Sequence, residues 1–240
     1  MTSESLLKVL TGAGVASRRR LTDVIKQGRV KVNGVAAESF NHPVDQAKDR
    51  ITIDGKAVDL QPGEPVCLML NKPPGVVTTA SDDKGRPIVL TLIPGKYRHL
   101  RLHPVGRLDR DTTGLLLLTN IGELTYRLTH PRYEYEKEYL FSIKGKLKPG
   151  EMKRLESGVR LEDGLTRHAV IKEVTLTPPF NYSLTIHEGR KRQVRRMLAA
   201  LGHMVAALKR VRVGSLTLGS LKEGETRELS RQEIKRLLEG

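Results

Sequence analysis

Tryptophan is absent from this 240-residue chain, and aromatic residues make up only 4% of it. Cysteine occurs once, as Cys67 in the apolar run "VCLML". A lone cysteine excludes an internal disulfide, and that setting marks a core position rather than a reactive thiol. No apolar stretch approaches the ~18 residues of a membrane-spanning helix. The N-terminus lacks the basic-then-apolar order of a signal segment, so a cytoplasmic protein with no membrane partner is expected. Neither common glycine-rich phosphate motif is present, nor is a cysteine–histidine cluster. His103, His130, His168, His187 and His203 are scattered without an HExxH partner. No cofactor and no metal are therefore expected. Internal repeats and low-complexity tracts are also missing.

What the chain does have is positive charge. Lysine and arginine number 42 against 27 acidic residues, a formal net charge of +15. With 38% hydrophobic residues the chain can still bury a core, so a basic disordered tail is excluded. Such an excess suits a polyanionic partner, nucleic acid first. A monomer is expected.

The first 60 residues form a distinct basic module. In "SLLKVLTGAGVASRRRLTDVIKQGRVKVNG", Leu6, Leu7 and Leu10 make the stripe of a short helix. Ser17 caps a second helix carrying Leu21, Val24 and Ile25 at helical spacing, and Gly28 ends it. "RVKVNG" and "RITIDGKAV" alternate as strands and close in Asn33-Gly34 and Asp54-Gly55 turns. Arg18, Arg19, Arg20, Lys26, Arg29 and Lys31 gather around the second helix and first strand. They are candidates for RNA phosphate contact, against the alternative of a merely solvated face. The stretch from 3 to 60 resembles the S4 RNA-binding domain, which implies docking on structured RNA. With so few aromatics, shape and phosphate contacts are expected there rather than stacking. "QPGEPV" at 61–66 reads as a linker, so the domains are placed at 1–61 and 62–240.

Beyond residue 66 many strands follow one another with helices between some of them. This is the pattern of an α+β body with a mixed, largely antiparallel sheet. "RKRQVRRMLAALGH" is the clearest helix, striped by Val194, Met197, Leu198 and Leu201. Ser230 and Glu233 stand at capping-box spacing before a terminal helix. Three polar features lie at strand ends: Asp109 in "GRLDRDTTGLLLLTN", Tyr139 in "EKEYLF", and the basic run "GRKRQVRR". Taken singly, each has an ordinary reading. Asp109 could be a surface ion pair and Tyr139 a core residue. Arg192 and Arg195, three apart on one helix face, could clamp phosphate or pair with a carboxylate.

Taken together, four boxes are more specific. "NKPPG" at 71–75, "GRLDRDTTGLLLLTN" at 106–120, "EKEYLF" at 136–141 and "LTIHEGRKRQVRRM" at 184–197 resemble, in order, the pseudouridine synthases. The resemblance is to the branch acting on bacterial ribosomal RNA, whose members carry an S4 domain. It implies an isomerase that flips a uridine from RNA and rejoins its base through carbon rather than nitrogen. Position by position, it makes Asp109 the catalytic aspartate, with Tyr139 stacked on the uracil and Arg195 paired with Asp109. Leu184 would pack beneath the tyrosine. Lys72 and Pro73 would support the active-site loop, and Arg107 would meet phosphate near the flipped nucleotide. Lys191 and Arg192 join the expected RNA contacts. Asp109 could act as nucleophile or as base, whereas a phenol is a poor base near neutral pH and suits stacking. Lys191 stands where asparagine is common, and "SRRRLTD" lacks a glutamate frequent after the serine–arginine pair. The long text from "RLEDG" to "IHEGRKRQVRRM" favours large-subunit (23S) RNA, free or in an assembly intermediate, over 16S. The competing readings are a non-catalytic RNA-binding assembly factor and a DNA-directed nuclease. The latter lacks a third carboxylate beside Asp109 and Asp111.

Overall fold

The computed structural model describes residues 3–61, 63–175 and 178–239. They divide into two units: the chain up to Pro65 with His99–Arg101, and Val66–Arg98 with Leu102 onward. Pro62 of the linker stretch lies outside the described residues, as do Leu176 and Thr177 of the "AVIKEVTLT" stretch.

The front unit runs β1 (Glu4–Ser5), α1 (Leu6–Gly12), α2 (Arg18–Lys26), β2 (Val30–Val32), β3 (Val35–Ala36), β4 (Pro43–Val44), β5 (Ile51–Ile53) and β6 (Lys56–Ala57). Ser17 caps α2 by accepting from the Arg20 amide at 3.3 Å. Leu6, Leu10, Leu21, Ile25, Val30 and Ile51 are buried in one core between the helices and the sheet β3-β2-β5-β6. Asn33 (φ 52°) and Gly34 (φ 86°) make the left-handed turn that the Asn-Gly pair implies.

In the second unit the strands are β7 (Cys67–Lys72), β8 (His103–Pro104), β9 (Thr113–Thr119), β10 (Lys137–Ile143), β11 (Arg160–Leu161), β12 (Gly164–Leu165), β13 (Val170–Glu173), β14 (Tyr182–Ile186), β15 (Val205–Val213), β16 (Leu216–Thr217) and β17 (Thr226–Glu228). The helices are α3 (Gly122–Thr129), α4 (Pro149–Ser157), α5 (Gln193–Ala199) and α6 (Arg231–Glu239). The main sheet orders β13-β14-β10-β15-β9-β7-β17, with β16 beside β15 and β8 beside β9. Its strand pairs are antiparallel except β9 with β15. The expected α+β, largely antiparallel body is borne out. Leu115 to Leu118 are all buried, because β9 is a central strand covered on both faces. Leu115 and Leu117 pack with Leu124, Leu128 and Leu237 of α3 and α6. Cys67 is fully buried in that cluster, and burial pushes its thiol up to about 12. The Ser230–Glu233 capping box closes reciprocally at 2.8 and 3.2 Å.

Register lines up one row of residues across six strands. Ile171 faces Leu184, Leu184 faces Tyr139, Tyr139 faces Arg210, Arg210 faces Gly114 and Gly114 faces Lys72. A bulge in the β10–β15 pairing falls between Glu138 and Tyr139, where it re-aims the side chains that follow. Gly114 permits the β9–β15 approach. It lies at φ +100°, and a Cβ there would stand 2.1 Å from the Arg210 carbonyl oxygen.

Candidate active site

The loop Gly106–Thr112 enters β9 with most of its carbonyls held from behind. Lys72, fully buried at the end of β7, donates to the carbonyls of Pro73 (2.9 Å), Arg110 (3.0 Å) and Thr112 (2.9 Å). Burial lowers its ammonium to about 8, against the opposing pull of Asp111 and Asp109. Gly75 donates its amide to the same Arg110 carbonyl at 2.9 Å. Thr78 donates to the Leu108 carbonyl at 2.8 Å and accepts from its amide at 3.3 Å. The Thr112 amide closes the turn on the Asp109 carbonyl at 3.0 Å. The "NKPPG" segment therefore fixes the backbone around Asp109 while leaving its carboxylate about one-third exposed.

That carboxylate faces a cavity of about 1070 Å³. Tyr139, 9% exposed, lines the same cavity from β10. Leu184, fully buried, is its cross-strand neighbour on the same face. Arg107, Lys137, Arg167, Arg190, Lys191, Arg192 and Arg210 contribute cationic side chains, against Asp109, Glu134 and Glu188. Apolar walls come from Leu117, Ile186, Leu208 and Val213. A cationic, partly apolar cavity that holds the Tyr139 ring and the part-exposed Asp109 carboxylate suits a nucleobase carried on a phosphodiester chain.

The basic run is divided by function. The sequence reading pairs Arg195 with Asp109. In the structure the ion pair comes instead from Arg192, whose Nη1 lies 3.8 Å from Asp109 Oδ2. The reason is backbone geometry. Helix α5 begins only at Gln193, and Arg192 stands before it at φ 50°, so helical spacing does not relate it to Arg195. Arg195 holds backbone, donating to the carbonyls of Val205 (3.0 Å) and Asp111 (3.4 Å). Its Nε is buried without a partner. Burial and Arg192 lower its guanidinium, while Asp109 and Asp111 raise it. Arg190 and Arg196 bind the β11–β12 hairpin: Arg190 reaches the Leu165 carbonyl at 2.6 Å and Arg196 reaches Asp163 at 2.6 Å. Gln193, 4% exposed, ties Glu188 at 2.7 Å. Lys191 is exposed on the cavity wall.

Arg107 is also exposed on the cavity wall and has no hydrogen bond or ion pair among the described residues. Asp111 is exposed, and its carboxylate pairs with its neighbour Arg110 at 3.4 Å. On the front unit Arg18, Arg19, Arg20, Lys26 and Lys31 are exposed. Arg29 differs, being tied to Asp54 at 2.7 Å. Sequence reasoning missed Lys137 and Arg210. Lys137 carried a signal, since strand periodicity puts it on the face of Tyr139. Burial, with Arg210 adding to the effect, lowers its ammonium to about 8. Arg210, 5% exposed, donates to the Leu115 carbonyl at 2.8 Å. No group of three or more metal-ligating side chains occurs among the described residues.

The sequence profile of the RNA pseudouridylate synthase family matches residues 66–200, more than half of the chain. The chain belongs to that family. A second profile, that of the S4 domain, matches residues 4–51. Among the similar relatives of this synthase is ribosomal large subunit pseudouridine synthase B of Bacillus subtilis (strain 168). It is 47% identical over 238 residues, covering 98% of this chain and 95% of that protein. The Pseudomonas aeruginosa PAO1 protein of the same name is 43% identical over 237 residues, covering 96% and 61% respectively. A crystal structure described as that of a pseudouridylate synthase superposes with a TM-score of 0.69 at 36% identity, covering 98% of this chain and 100% of that one. The resemblance read from the four boxes and the basic front is borne out, and the protein is an enzyme of this RNA-acting family.

Proposed function

We propose that this synthase isomerises uridine to pseudouridine in large-subunit ribosomal RNA, in the cytoplasm, with Asp109 as its catalytic carboxylate. The observation that carries the assignment is the Asp109 carboxylate, presented by a backbone pinned at four points, across one cavity from Tyr139. The Bacillus subtilis relative, similar along nearly its whole length, is named for large-subunit RNA, and this supports the substrate.

The reaction breaks the bond from ribose C1′ to N1 and makes one from C1′ to C5. A proton leaves C5 and one is gained at N1, so atoms and electrons balance with no redox partner. Asp109 acts on the ribose side as nucleophile or base. Arg192 supplies positive charge beside it, and Arg195 fixes the Asp111 carbonyl behind it. Tyr139, backed by Leu184, stacks on the extruded uracil. Lys72 and the Pro73 carbonyl hold the loop. Arg107 and Lys191 meet phosphates at the cavity, and Arg18, Arg19, Arg20, Lys26 and Lys31 extend the contact on the front unit.

The test is a map of pseudouridine in ribosomal RNA, by carbodiimide labelling and sequencing, from cells with and without the protein. At least one large-subunit site should vanish on deletion. It should return with the wild-type gene and stay absent with Asp109→Ala. An unchanged large-subunit map, or full rescue by Asp109→Ala, refutes the assignment.

A further inference from the structure

Among the described residues, Phe40 (38%) and Tyr126 (45%) are the exposed phenylalanine and tyrosine side chains, and only Tyr126 belongs to a cluster of rings. At the end of α3 and the turn that follows it, Tyr126, His130 and Tyr133 bring three rings together. Tyr126 and His130 centroids lie 4.9 Å apart, Tyr126 and Tyr133 lie 5.8 Å apart, and His130 and Tyr133 lie 6.4 Å apart. The Arg132 guanidinium lies over both tyrosines, 5.2 Å from one ring and 4.5 Å from the other. Tyr126 is 45% exposed.

Local packing does not account for that exposure. Tyr97, Tyr139 and Tyr182 are each at most 9% exposed. The rings of Tyr126 and Tyr133 meet edge to face at 86°, so they do not stack face to face on one another. The support beneath is firm. Arg127, which also lies 5.7 Å from the Tyr133 ring, binds Glu123 at 3.1 Å and the Leu238 carbonyl. Glu134 ends the turn at φ 51° and pairs with Arg167. The cluster adjoins the catalytic cavity, because its His130 lines that cavity together with Pro131 and Glu134 of the same turn.

We propose that Tyr126, His130, Arg132 and Tyr133 form a stacking platform for an unpaired nucleobase next to the target uridine. The proposal rests on the reading that the cavity takes a uridine from RNA. When that base leaves its stack, its neighbours lose a stacking partner, and unstacked bases are recognised on aromatic rings and guanidinium planes. A rim carrying both, beside a cationic cavity, compensates the neighbour for the loss. Arginine among the rings favours a polyanionic strand over an apolar protein segment. The platform thereby selects sites with an unpaired base beside the uridine.

The experiment uses the full-length protein and large-subunit ribosomal RNA transcribed in vitro. Ultraviolet cross-linking with peptide mass spectrometry should place a nucleotide adduct on Tyr126, His130 or Tyr133. Tyr126→Ala should raise KM about tenfold at unchanged kcat, within the range measured for loss of one base–ring stack. Tyr126→Phe, which keeps the ring, should restore KM. Adducts confined to other peptides together with an unchanged KM overturn the platform. If the wild type makes no pseudouridine in this RNA, the substrate assignment fails, and affinity for the same RNA then decides the platform. Equal binding by wild type and Tyr126→Ala overturns it, and weaker binding by Tyr126→Ala alone upholds it.

Discussion

Lys72 is a buried cation whose three donors are all used on carbonyls of the loop that carries Asp109. Its ammonium is lowered to about 8. Losing a proton removes one of those donors, so kcat/KM should fall as pH rises through about 8. A pH–rate profile from pH 6 to 10 reads this directly. Lys72→Met, lacking the clamp at every pH, should be slower by about a hundredfold, the cost of a misplaced reacting group. Stability runs the other way. The unfolded chain keeps this proton up to the ordinary value of 10.5, whereas the folded protein releases it from about pH 8. The unfolded state thus binds more protons between those limits. Wild type should therefore gain stability relative to Lys72→Met across that window, by up to about 3 kcal/mol. Urea unfolding at several pH values checks the sign. Individual residues were unevenly legible in the sequence. Asp109, Tyr139 and Leu184 fall inside contiguous boxes and could be named. The Arg192–Asp109 pair could not, because it depends on the left-handed backbone at Arg192, and periodicity assumes a regular helix there. Arg210 reads as one more polar residue in a strand, since its burial is created by partners far along the chain.

Among the elements, β9 and α5 matter most. Gly114 brings β9 against β15 so closely that an added Cβ would stand 2.1 Å from one backbone atom of Arg210 and 2.8 Å from another. Gly114→Ala should cost more than about 4 kcal/mol or prevent folding, a loss reserved for backbone conflicts and buried faults. Gly122→Ala is the control. Gly122 starts α3 with nothing within 4 Å of such a Cβ, and the change should leave the melting temperature equal or slightly higher. Helix α5 is held by Asp163, which receives Arg196 at 2.6 Å and Arg190 at 3.5 Å. Asp163 is 48% exposed, so its ion pairs add under about 1 kcal/mol to stability. Their effect is on position. Asp163→Asn should lower kcat/KM while shifting the melting temperature little, as thermal unfolding and single-turnover assays would show. Elements were the most legible level, because the leucine run, the capping box and the Asn-Gly turn each act through local chemistry. The start of α5 was the exception, placed too early because arginines are good helix formers.

For the whole molecule, a net charge of +15 makes RNA binding an exchange of condensed counterions for lysine and arginine. Affinity for ribosomal RNA should fall at least about tenfold between roughly 50 and 200 mM salt. Replacing Arg18, Arg19 and Arg20 together by glutamate should raise KM and flatten that dependence at unchanged kcat, as filter binding and steady-state assays would show. Arg29→Ala should do less, since Asp54 already occupies its guanidinium. The sheet adds a constraint of another kind. Lys72, Gly114, Arg210, Tyr139 and Leu184 come from five strands far apart in sequence, yet they meet on one row because the backbone pairing of each strand, the β10–β15 bulges included, aligns them. Neighbouring strands lie about 4.8 Å apart whatever their side chains, so the width of the site is measured out by backbone pairing. Point substitutions other than at Gly114 leave that ruler intact, whereas one inserted or deleted residue in any of these strands turns every following side chain to the opposite face. Outside Lys72, Gly114, Tyr139, Leu184 and Arg210, variation of this enzyme, natural or selected in the laboratory, should therefore be freer in spelling along β7, β9, β10, β14 and β15 than in count, with changes of length pushed out into the turns.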